Sequence, residues 1–296
     1  MSFVERLPRQ VTVVEVGPRD GLQNEAQPVP TELKVAFIER LADAGFPVIE
    51  VTSFVSPKAV PQLADAEEVM RRIARRPGTR YLALVPNERG LERALAAGCD
   101  AIALFTAASE AFSQANVRAS IEETFERFRP VAERAQAAGL WIRGYVSTAF
   151  HCPYSGPVDP QQVLSVADRL FSLGCHEVAL ADTIGRATPR DVDRLLALAT
   201  RAFNPGRLAL HFHDTAGLAL ANVMVGLDHG ITVFDAAAGG LGGCPFAPGA
   251  PGNLATERLL ALLAGLEIET GVDREAVVAA VTELRQSVPG IGARAC

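Results

Sequence analysis

Lysine is almost missing from this sequence of 296 residues, in which only Lys34 and Lys58 occur. Lys34 falls within a helical pattern and Lys58 falls in a loop, so neither lies in a segment that we predict as a strand. A Schiff-base aldolase needs a lysine in its pocket, and the near absence of lysine therefore disfavours that chemistry. If the chain cuts carbon–carbon bonds, we expect a metal ion to accept the electrons.

Long apolar runs are missing as well. No run reaches the roughly 18 residues that are needed to cross a bilayer, and the first ten residues mix acidic and basic side chains without the apolar core of a secretory signal. The net charge of −6 disfavours a general nucleic-acid surface. We therefore expect a cytoplasmic protein that has neither membrane nor nucleic-acid partners.

Cysteine is sparse and forms no CxxC pair. The five cysteines are Cys99, Cys152, Cys175, Cys244 and Cys296. Their odd number and wide spacing are typical of reduced thiols in a cytosol and not of a disulfide framework. Cys296, at the end of the sequence, is a candidate for crosslinking protomers under oxidation.

Short apolar segments alternate with longer helical patterns, at about thirty residues per unit. The strand candidates are Val11–Val16, Val48–Phe54, Tyr81–Val85, Ala101–Phe105, Trp141–Val146, Glu177–Ala181, Leu208–His213 and Val233–Ala238. The helical patterns include Glu32–Ala44, Ala64–Arg75, Ile121–Ala138, Gln161–Leu173 and Arg190–Ala202. Eight such units predict an α/β fold, a closed (β/α)₈ TIM barrel, in preference to an open doubly wound sheet. Since no linker composition interrupts the pattern, we expect residues 1–296 to form one catalytic domain, with an extra C-terminal helix over Gly271–Ser287.

The seventh strand candidate ends in a His-x-His pair, His211 and His213. Side chains alternate along a strand, so both imidazoles point to the same face, at the end of the barrel where chemistry takes place. Two imidazoles on one face form a natural clamp for a metal ion. The same spacing is equally typical of two hydrogen-bonded histidines that line a barrel interior.

Arg19 and Asp20 follow the first strand candidate in a turn shaped by glycine and proline. An adjacent Arg-Asp pair is most often a salt bridge, but this one is aimed at the same cavity as the histidines. Asp20 is a candidate carboxylate ligand, and Arg19 is a candidate cation for a developing oxyanion. Glu50 lies in the second strand candidate and needs a partner if it points inward; Arg19 is the nearest candidate. Glu50 then either acts in the chemistry or only holds Arg19 in place.

A glycine-rich and proline-rich segment follows the eighth strand candidate, from Gly239 to Asn253. We interpret it as a lid over the active-site mouth that carries one thiol, Cys244. Asn253 precedes a predicted helix over Leu254–Leu263, with Glu257 at roughly the spacing of a capping box. It is therefore a candidate helix N-cap, although its amide oxygen is also able to bind a metal ion.

Several motifs together resemble the hydroxymethylglutaryl-CoA lyase family, within the metal-dependent superfamily of lyase and Claisen-condensing TIM barrels. The resemblance runs from about Val11 to about Val272. The motifs that carry it are Gly17-Pro18-Arg19-Asp20-Gly21-Leu22-Gln23-Asn24-Glu25, Thr52-Ser53-Phe54-Val55-Ser56-Pro57-Lys58, Arg143-Gly144-Tyr145-Val146, Asp182-Thr183-Ile184-Gly185, His211-Phe212-His213-Asp214-Thr215, Leu241-Gly242-Gly243-Cys244-Pro245 and Gly252-Asn253-Leu254-Ala255-Thr256-Glu257. The Gly-Gly-Cys-Pro loop is more specific to the lyases than the Arg-Asp and His-x-His motifs, which the superfamily shares.

This resemblance implies cleavage of an acyl-CoA thioester, 3-hydroxy-3-methylglutaryl-CoA, to acetyl-CoA and acetoacetate with Mg²⁺ or Mn²⁺. It implies four metal ligands: Asp20, His211, His213 and Asn253. By the same analogy Asp20 or His211 is the base, Arg19 stabilises the enolate oxygen and Cys244 is the acid. Glu50 and Asp182 match family positions close to the site, in supporting roles.

Three positions depart from the family's pattern: Ala181, where glycine is common, and Ala216 and Leu218, where tyrosine and glutamine are common. The loss of the two polar side chains at Ala216 and Leu218 leaves open a longer-chain 3-hydroxyglutaryl-CoA analogue as the substrate. A synthase that condenses acetyl-CoA with a 2-oxo acid is a second alternative, disfavoured because the sequence lacks the extension such synthases usually carry. A non-catalytic barrel is a third. We expect a homodimer or a higher homo-oligomer.

Overall fold

Eight parallel strands close into a barrel in the computed structural model, which describes residues 4–242 and 252–292. The barrel strands are β1 (Thr12–Glu15), β2 (Val48–Ser53), β3 (Arg80–Leu84), β4 (Ala101–Ala107), β5 (Trp141–Ser147), β8 (Glu177–Asp182), β9 (Leu208–Phe212) and β10 (Val233–Ala236). They follow one another around the barrel in chain order, and β10 closes it against β1. A short antiparallel hairpin, β6 (His151–Cys152) and β7 (Gly156–Pro157), lies outside the barrel. The predicted (β/α)₈ class and all eight predicted barrel strands are confirmed.

Ten α-helices accompany these strands in the described residues. They are α1 (Thr31–Asp43), α2 (Ala66–Arg72), α3 (Glu88–Ala96), α4 (Glu110–Val117), α5 (Ile121–Ala137), α6 (Pro160–Ser172), α7 (Pro189–Ala202), α8 (Ala219–Asp228), α9 (Thr256–Gly265) and α10 (Arg274–Ser287). The predicted extra C-terminal helix is α10, which begins after the N-cap Asp273 and packs against α1 and α9. No helix in the described ranges is both long and apolar enough to span a membrane.

The barrel strands separate two layers of core, because their side chains alternate between faces. One face, with Val13 and Ile49, packs against the helices in the larger apolar cluster. The other face lines the barrel interior, where Ala103, Ala179 and Ala209 are small. Small interior side chains leave room for large polar ones, and it is these polar groups that build the site.

Candidate active site

Arg19 and Asp20 lie in a tight turn that starts as soon as β1 ends. The amides of Arg19, Asp20 and Gly21 all donate to the carbonyl of Val16, so one acceptor holds the whole turn. Gly21 packs directly on the next segment, since a Cβ added there would lie 2.8 Å from the Cβ of Leu241. The turn therefore presents Arg19 and Asp20 to the mouth of the barrel from a fixed backbone.

His211 and His213 do share a face, as strand alternation predicted, and both turn toward Asp20. Their Nε2 atoms lie 3.9 Å and 4.0 Å from Asp20 Oδ2. One potential ligand atom from each of the three residues fits within 4.8 Å of the others. This spacing is suited to one cation bound between three groups, because each donor reaches a shared centre at about 2 Å.

Asn253 is the fourth residue at this place, and the predicted N-cap role is wrong. Helix α9 begins at Thr256, with Ala255 as its N-cap, because residues 253–255 are extended and pair with His213 and Ala237. The Asn253 Nδ2 donates to Asp20 Oδ2 (2.9 Å) and to the carbonyl of Leu241 (3.1 Å). Its Oδ1 is buried and has no hydrogen-bond partner among the described residues.

The predicted capping box is also absent, since the Glu257 carboxylate accepts from the amide of Gly239 instead (2.9 and 3.0 Å). An amide oxygen that is buried and unpaired is costly unless a ligand completes it. Asn253 Oδ1 is such an atom and lies beside the three other donors. These four residues therefore fit a resident metal ion.

The protonation states of Asp20 and His213 suit a metal ion as well. Burial opposes the charge on Asp20, but Arg19 and the two imidazoles outweigh it and lower the pKa of that carboxyl to about 2. Burial, with the neighbouring His211, lowers the pKa of His213 to about 4. At neutral pH Asp20 is therefore ionised and His213 is neutral, which are the forms that bind metal ions.

Glu50 and Arg19 form the buried ion pair that the sequence suggested. Arg19 Nη2 lies 2.7 Å from Glu50 Oε2, and Arg19 Nη1 lies 2.7 Å from Asp20 Oδ1. Burial raises the pKa of Glu50, although Arg19 opposes the rise. The guanidinium is thereby held against the cluster from both sides, with its Nε buried and unpaired within the described part of the chain.

Asp235, on β10, is a functional candidate that the sequence analysis missed. Its Oδ2 lies 3.2 Å from His211 Nδ1, and its Oδ1 accepts from Arg143 Nη2 at 2.7 Å. Tyr145 continues the contacts across the barrel, receiving a hydrogen bond from Arg143 (2.8 Å) and donating to Glu50 (3.4 Å). The signal was present in the sequence, because a carboxylate inside a buried strand requires a partner.

Asp235→Asn should weaken metal binding without removing any proposed ligand. A carboxylate behind a ligating imidazole fixes its tautomer and its orientation, and losing such a partner typically weakens metal affinity by about 10–100-fold. We expect a loss of that size in Mn²⁺ affinity, measured by electron paramagnetic resonance. Asp193→Asn is the control, because Asp193 meets His229 at 2.9 Å on the surface and away from the cluster. An unchanged Mn²⁺ affinity in Asp235→Asn would contradict this role.

A cavity of about 210 Å³ opens above the cluster. Its lining includes Arg19, Asp20, Gln23, Tyr145, Ala181, Thr183, His211 and His213. A second cavity of about 340 Å³ adjoins it over the ends of β2, β3 and β4 and shares Arg19, Gln23, Phe105 and Asn116 with it. Asp182, at the end of β8, holds the loop that follows this strand, because its carboxylate accepts from the amides of Arg186 and Ala187.

Cys244 and Cys296 lie outside the described residues, and so does most of the segment interpreted as a lid. The described chain reaches Gly242, at a φ of +96°. A Cβ at Gly242 would lie 2.9 Å from Asn253 Nδ2 and 3.4 Å from the carbonyl oxygen of Asp20. The backbone two residues before Cys244 thus lies against the proposed ligands.

Comparison with known proteins places the chain in a family. The HMGL-like family model matches residues 10–288. The chain belongs to the HMGL-like family. The mitochondrial hydroxymethylglutaryl-CoA lyase of Rattus norvegicus is 51% identical over 94% of this chain and 86% of its own length. The cytoplasmic 3-hydroxy-3-methylglutaryl-CoA lyase of the same species is 52% identical over 94% of this chain and 81% of its own.

A solved structure matches this chain at a similar sequence identity. The crystal structure of hydroxymethylglutaryl-CoA lyase from Pseudomonas aeruginosa matches with a TM-score of 0.94 and 51% identity. It covers 96% of this chain, and the match spans 95% of that structure. Family membership confirms the resemblance found in the motifs, over nearly the whole sequence.

Proposed function

We propose that this chain cleaves 3-hydroxy-3-methylglutaryl-CoA to acetyl-CoA and acetoacetate with a divalent cation. The names of the similar lyases support the substrate. The observation that carries the proposal is the convergence of Asp20, His211, His213 and Asn253, with the buried Asn253 Oδ1 lacking any partner in the described ranges. A cation bound between these four residues would supply the partner that Asn253 Oδ1 lacks.

The proposed ligands are two imidazole nitrogens, one carboxylate oxygen and one amide oxygen. Such a mixed set has two oxygen ligands and no thiolate, and with substrate or water oxygens in the remaining positions it is compatible with Mg²⁺ or Mn²⁺. When bound, the cation lowers the pKa of the substrate hydroxyl that it polarises. The cavity above the cluster leaves room for the substrate's hydroxyl and carboxylate oxygens.

Asp20 is the better of the two candidate bases. His211 Nδ1 is hydrogen-bonded to Asp235. If Nε2 binds the cation, this imidazole has no lone pair left with which to accept a proton. A carboxylate offers about four acceptor sites, and Asp20 retains one after binding Arg19, Asn253 and a cation. In the proposed reaction Asp20 takes the proton of the C3 hydroxyl, the C2–C3 bond breaks, and its electron pair passes to the thioester as an enolate.

Arg19 is the group that we propose for the enolate oxygen. Its guanidinium lines both cavities and is almost fully buried, so its charge acts with little screening by water. Glu50 and Asp20 fix its orientation before any substrate binds. Negative charge that develops on the thioester oxygen therefore meets a cation that is already in position.

Cys244 is the proposed acid that returns a proton to C2 and completes acetyl-CoA. The resemblance supports this role, and so does Gly242, which lies against the proposed ligands; two residues span at most about 7 Å. Cys244→Ser should keep the fold and its Mn²⁺ affinity but lose about 10²–10⁴-fold in kcat, because a serine hydroxyl is a far weaker acid. Cys175→Ser is the control, since that thiol is buried in the apolar core. Near-normal turnover of Cys244→Ser would remove Cys244 from the acid role.

The short acyl chain is favoured over a longer analogue. Ala216 is exposed and Leu218 half-buried in the turn before α8, and neither is among the residues that line the cavity. Of the three departures only Ala181 lines it, and there an alanine methyl occupies space that glycine would leave free. The CoA arm of the substrate has the adjoining 340 Å³ cavity available, which is lined about equally by apolar and polar side chains.

One assay tests the function directly. The chain should release acetoacetate from 3-hydroxy-3-methylglutaryl-CoA with Mg²⁺ or Mn²⁺, lose the activity in EDTA and regain it when the metal is restored. The same assay with longer 3-hydroxyglutaryl-CoA thioesters, and with acetyl-CoA plus 2-oxo acids, tests the two alternatives. Full activity after EDTA treatment, or thiol release only with 2-oxo acids, would contradict the proposal.

We further propose that the protein acts in the cytoplasm and as a homo-oligomer. The similar rat lyases include a cytoplasmic and a mitochondrial form. Free Cys99, Cys152 and Cys175 are consistent with a reducing compartment. Light scattering on the purified chain tests the oligomeric state.

A further inference from the structure

Glu15 is a buried carboxyl that the proposed reaction does not use. It is the last residue of β1 and has no exposed surface. Val14 and Val16 face the barrel interior, so Glu15 points the other way, toward the helical layer behind the site. It is therefore placed to act on the site only through other groups.

Its two oxygens bind three separate segments. Oε1 accepts from the amides of Gly17 and Ala238, both at 2.8 Å. Oε2 lies 2.7 Å from Thr256 Oγ1. A Cβ at Gly17 would lie 2.6 Å from Oε1, so only glycine lets the carboxyl approach this closely.

Each bound segment leads to the proposed metal site. Gly17 opens the turn that carries Asp20, and Thr256 begins α9, three residues after Asn253. Ala238 begins the turn that leads to Leu241, whose carbonyl accepts from Asn253. The Asn253–Asp20 hydrogen bond of 2.9 Å closes this arrangement on the side of the cavity.

We infer that Glu15 is a positioning residue that sets the separation of Asp20 and Asn253 by tying Gly17, Ala238 and Thr256 to one carboxyl group. The inference rests on the proposed function only in that Asp20 and Asn253 hold a divalent cation. This role depends on the hydrogen-bonding geometry of the Glu15 carboxyl group and not on its negative charge. Glutamine is the matched replacement, because its oxygen accepts from both amides and its NH₂ donates to Thr256 Oγ1.

The protonation of Glu15 agrees with a neutral clamp. Burial raises the pKa of Glu15 to about 8, despite the hydrogen bonds from Ala238, Thr256 and Gly17, and the charge of Glu257 adds to the rise. At pH 7 the carboxyl is then mostly neutral, as the amide of Glu15→Gln is. The Thr256 hydroxyl, which donates to Oε2, is also able to accept from the NH₂ of that amide.

The test measures Mn²⁺ affinity by electron paramagnetic resonance, together with thermal melting. We expect Glu15→Ala to bind Mn²⁺ at least about tenfold more weakly, and Glu15→Gln to stay within about threefold of the unmodified chain. The control is Lys34→Met, which removes a buried amine that bonds Asp65 (2.7 Å) and the carbonyl of Gln62. This control should lower the melting temperature and leave Mn²⁺ affinity unchanged.

Wild-type Mn²⁺ affinity in Glu15→Ala, or an equal loss in Glu15→Gln, overturns the inference. If Glu15→Ala does not fold, Thr256→Val is tested in its place, because it removes only one of the three contacts. It should weaken Mn²⁺ binding by about threefold or more, and an unchanged affinity overturns the inference. Acetoacetate release is measured separately, so a chain that binds Mn²⁺ but does not release acetoacetate contradicts the proposed function and leaves the test of Glu15 intact.

Discussion

Asp20→Asn should abolish both Mn²⁺ binding and carbon–carbon bond cleavage. Asparagine has nearly the same shape but loses the charge that faces two imidazoles at 3.9 and 4.0 Å, and it loses the proposed base. The absence of a general base alone lowers rates by about 10²–10⁴-fold. Because cation binding is lost as well, we expect kcat/KM for acetoacetate release to fall by at least about 10⁴-fold.

Asp214→Asn is the matched control for this experiment. Asp214 is also buried and follows His213 directly, but it points away from the cluster and binds Arg258 and the amide of Ala219. Its replacement should affect melting while Mn²⁺ affinity stays within about threefold. If Asp20→Asn retains Mn²⁺ affinity and loses only turnover, Asp20 is a base and not a ligand.

Arg19→Met should remove most of the catalytic rate while the metal ion still binds. Loss of one preorganised donor to an oxyanion costs about 10²–10³-fold in kcat, and a buried cation should lie at the upper end of that range. Methionine fills a similar volume, but it leaves Glu50 buried without its partner at 2.7 Å. We therefore expect a lower melting temperature as well as a kcat reduced by about 10³-fold.

The double variant Arg19→Met/Glu50→Gln separates these two effects. Removing the unpaired charge at Glu50 should restore much of the melting temperature, because an uncompensated buried charge is the main destabilising factor. The rate should stay low. If Glu50 only holds Arg19, Glu50→Gln adds no further loss of rate in the Arg19→Met background, whereas a further loss assigns Glu50 its own part in the chemistry. Recovery of the rate in the double variant would contradict the role of Arg19.

The fold and part of the site followed from sequence periodicity alone. Strand alternation places His211 and His213 on one face wherever the strand lies, and parallel strands bring their carboxyl ends to one edge, which joins Asp20 to them. The place of Asn253 in the site was not predictable from periodicity, because it depends on backbone pairing with His213. Local helix signals predict an N-cap at Asn253 instead.

The groups behind the site were harder to predict. Asp235, Arg143 and Tyr145 meet only because β10 and β5 face each other across the barrel interior, 92 residues apart along the chain for the Arg143–Asp235 hydrogen bond. No spacing in the sequence encodes such a contact. A buried charge in a strand signals that a partner exists but not which residue it is.

Among the described residues, the ion-paired groups inside the barrel include more carboxylates than guanidinium groups. Arg19 and Arg143 meet Asp20, Glu50, Asp235 and Glu177 there, which gives these six groups a formal charge of −2 when all are ionised. A divalent cation offsets this excess of negative charge. Demetallation should then lower the melting temperature and increase proton uptake, so the ion stabilises the folded chain as well as serving the reaction.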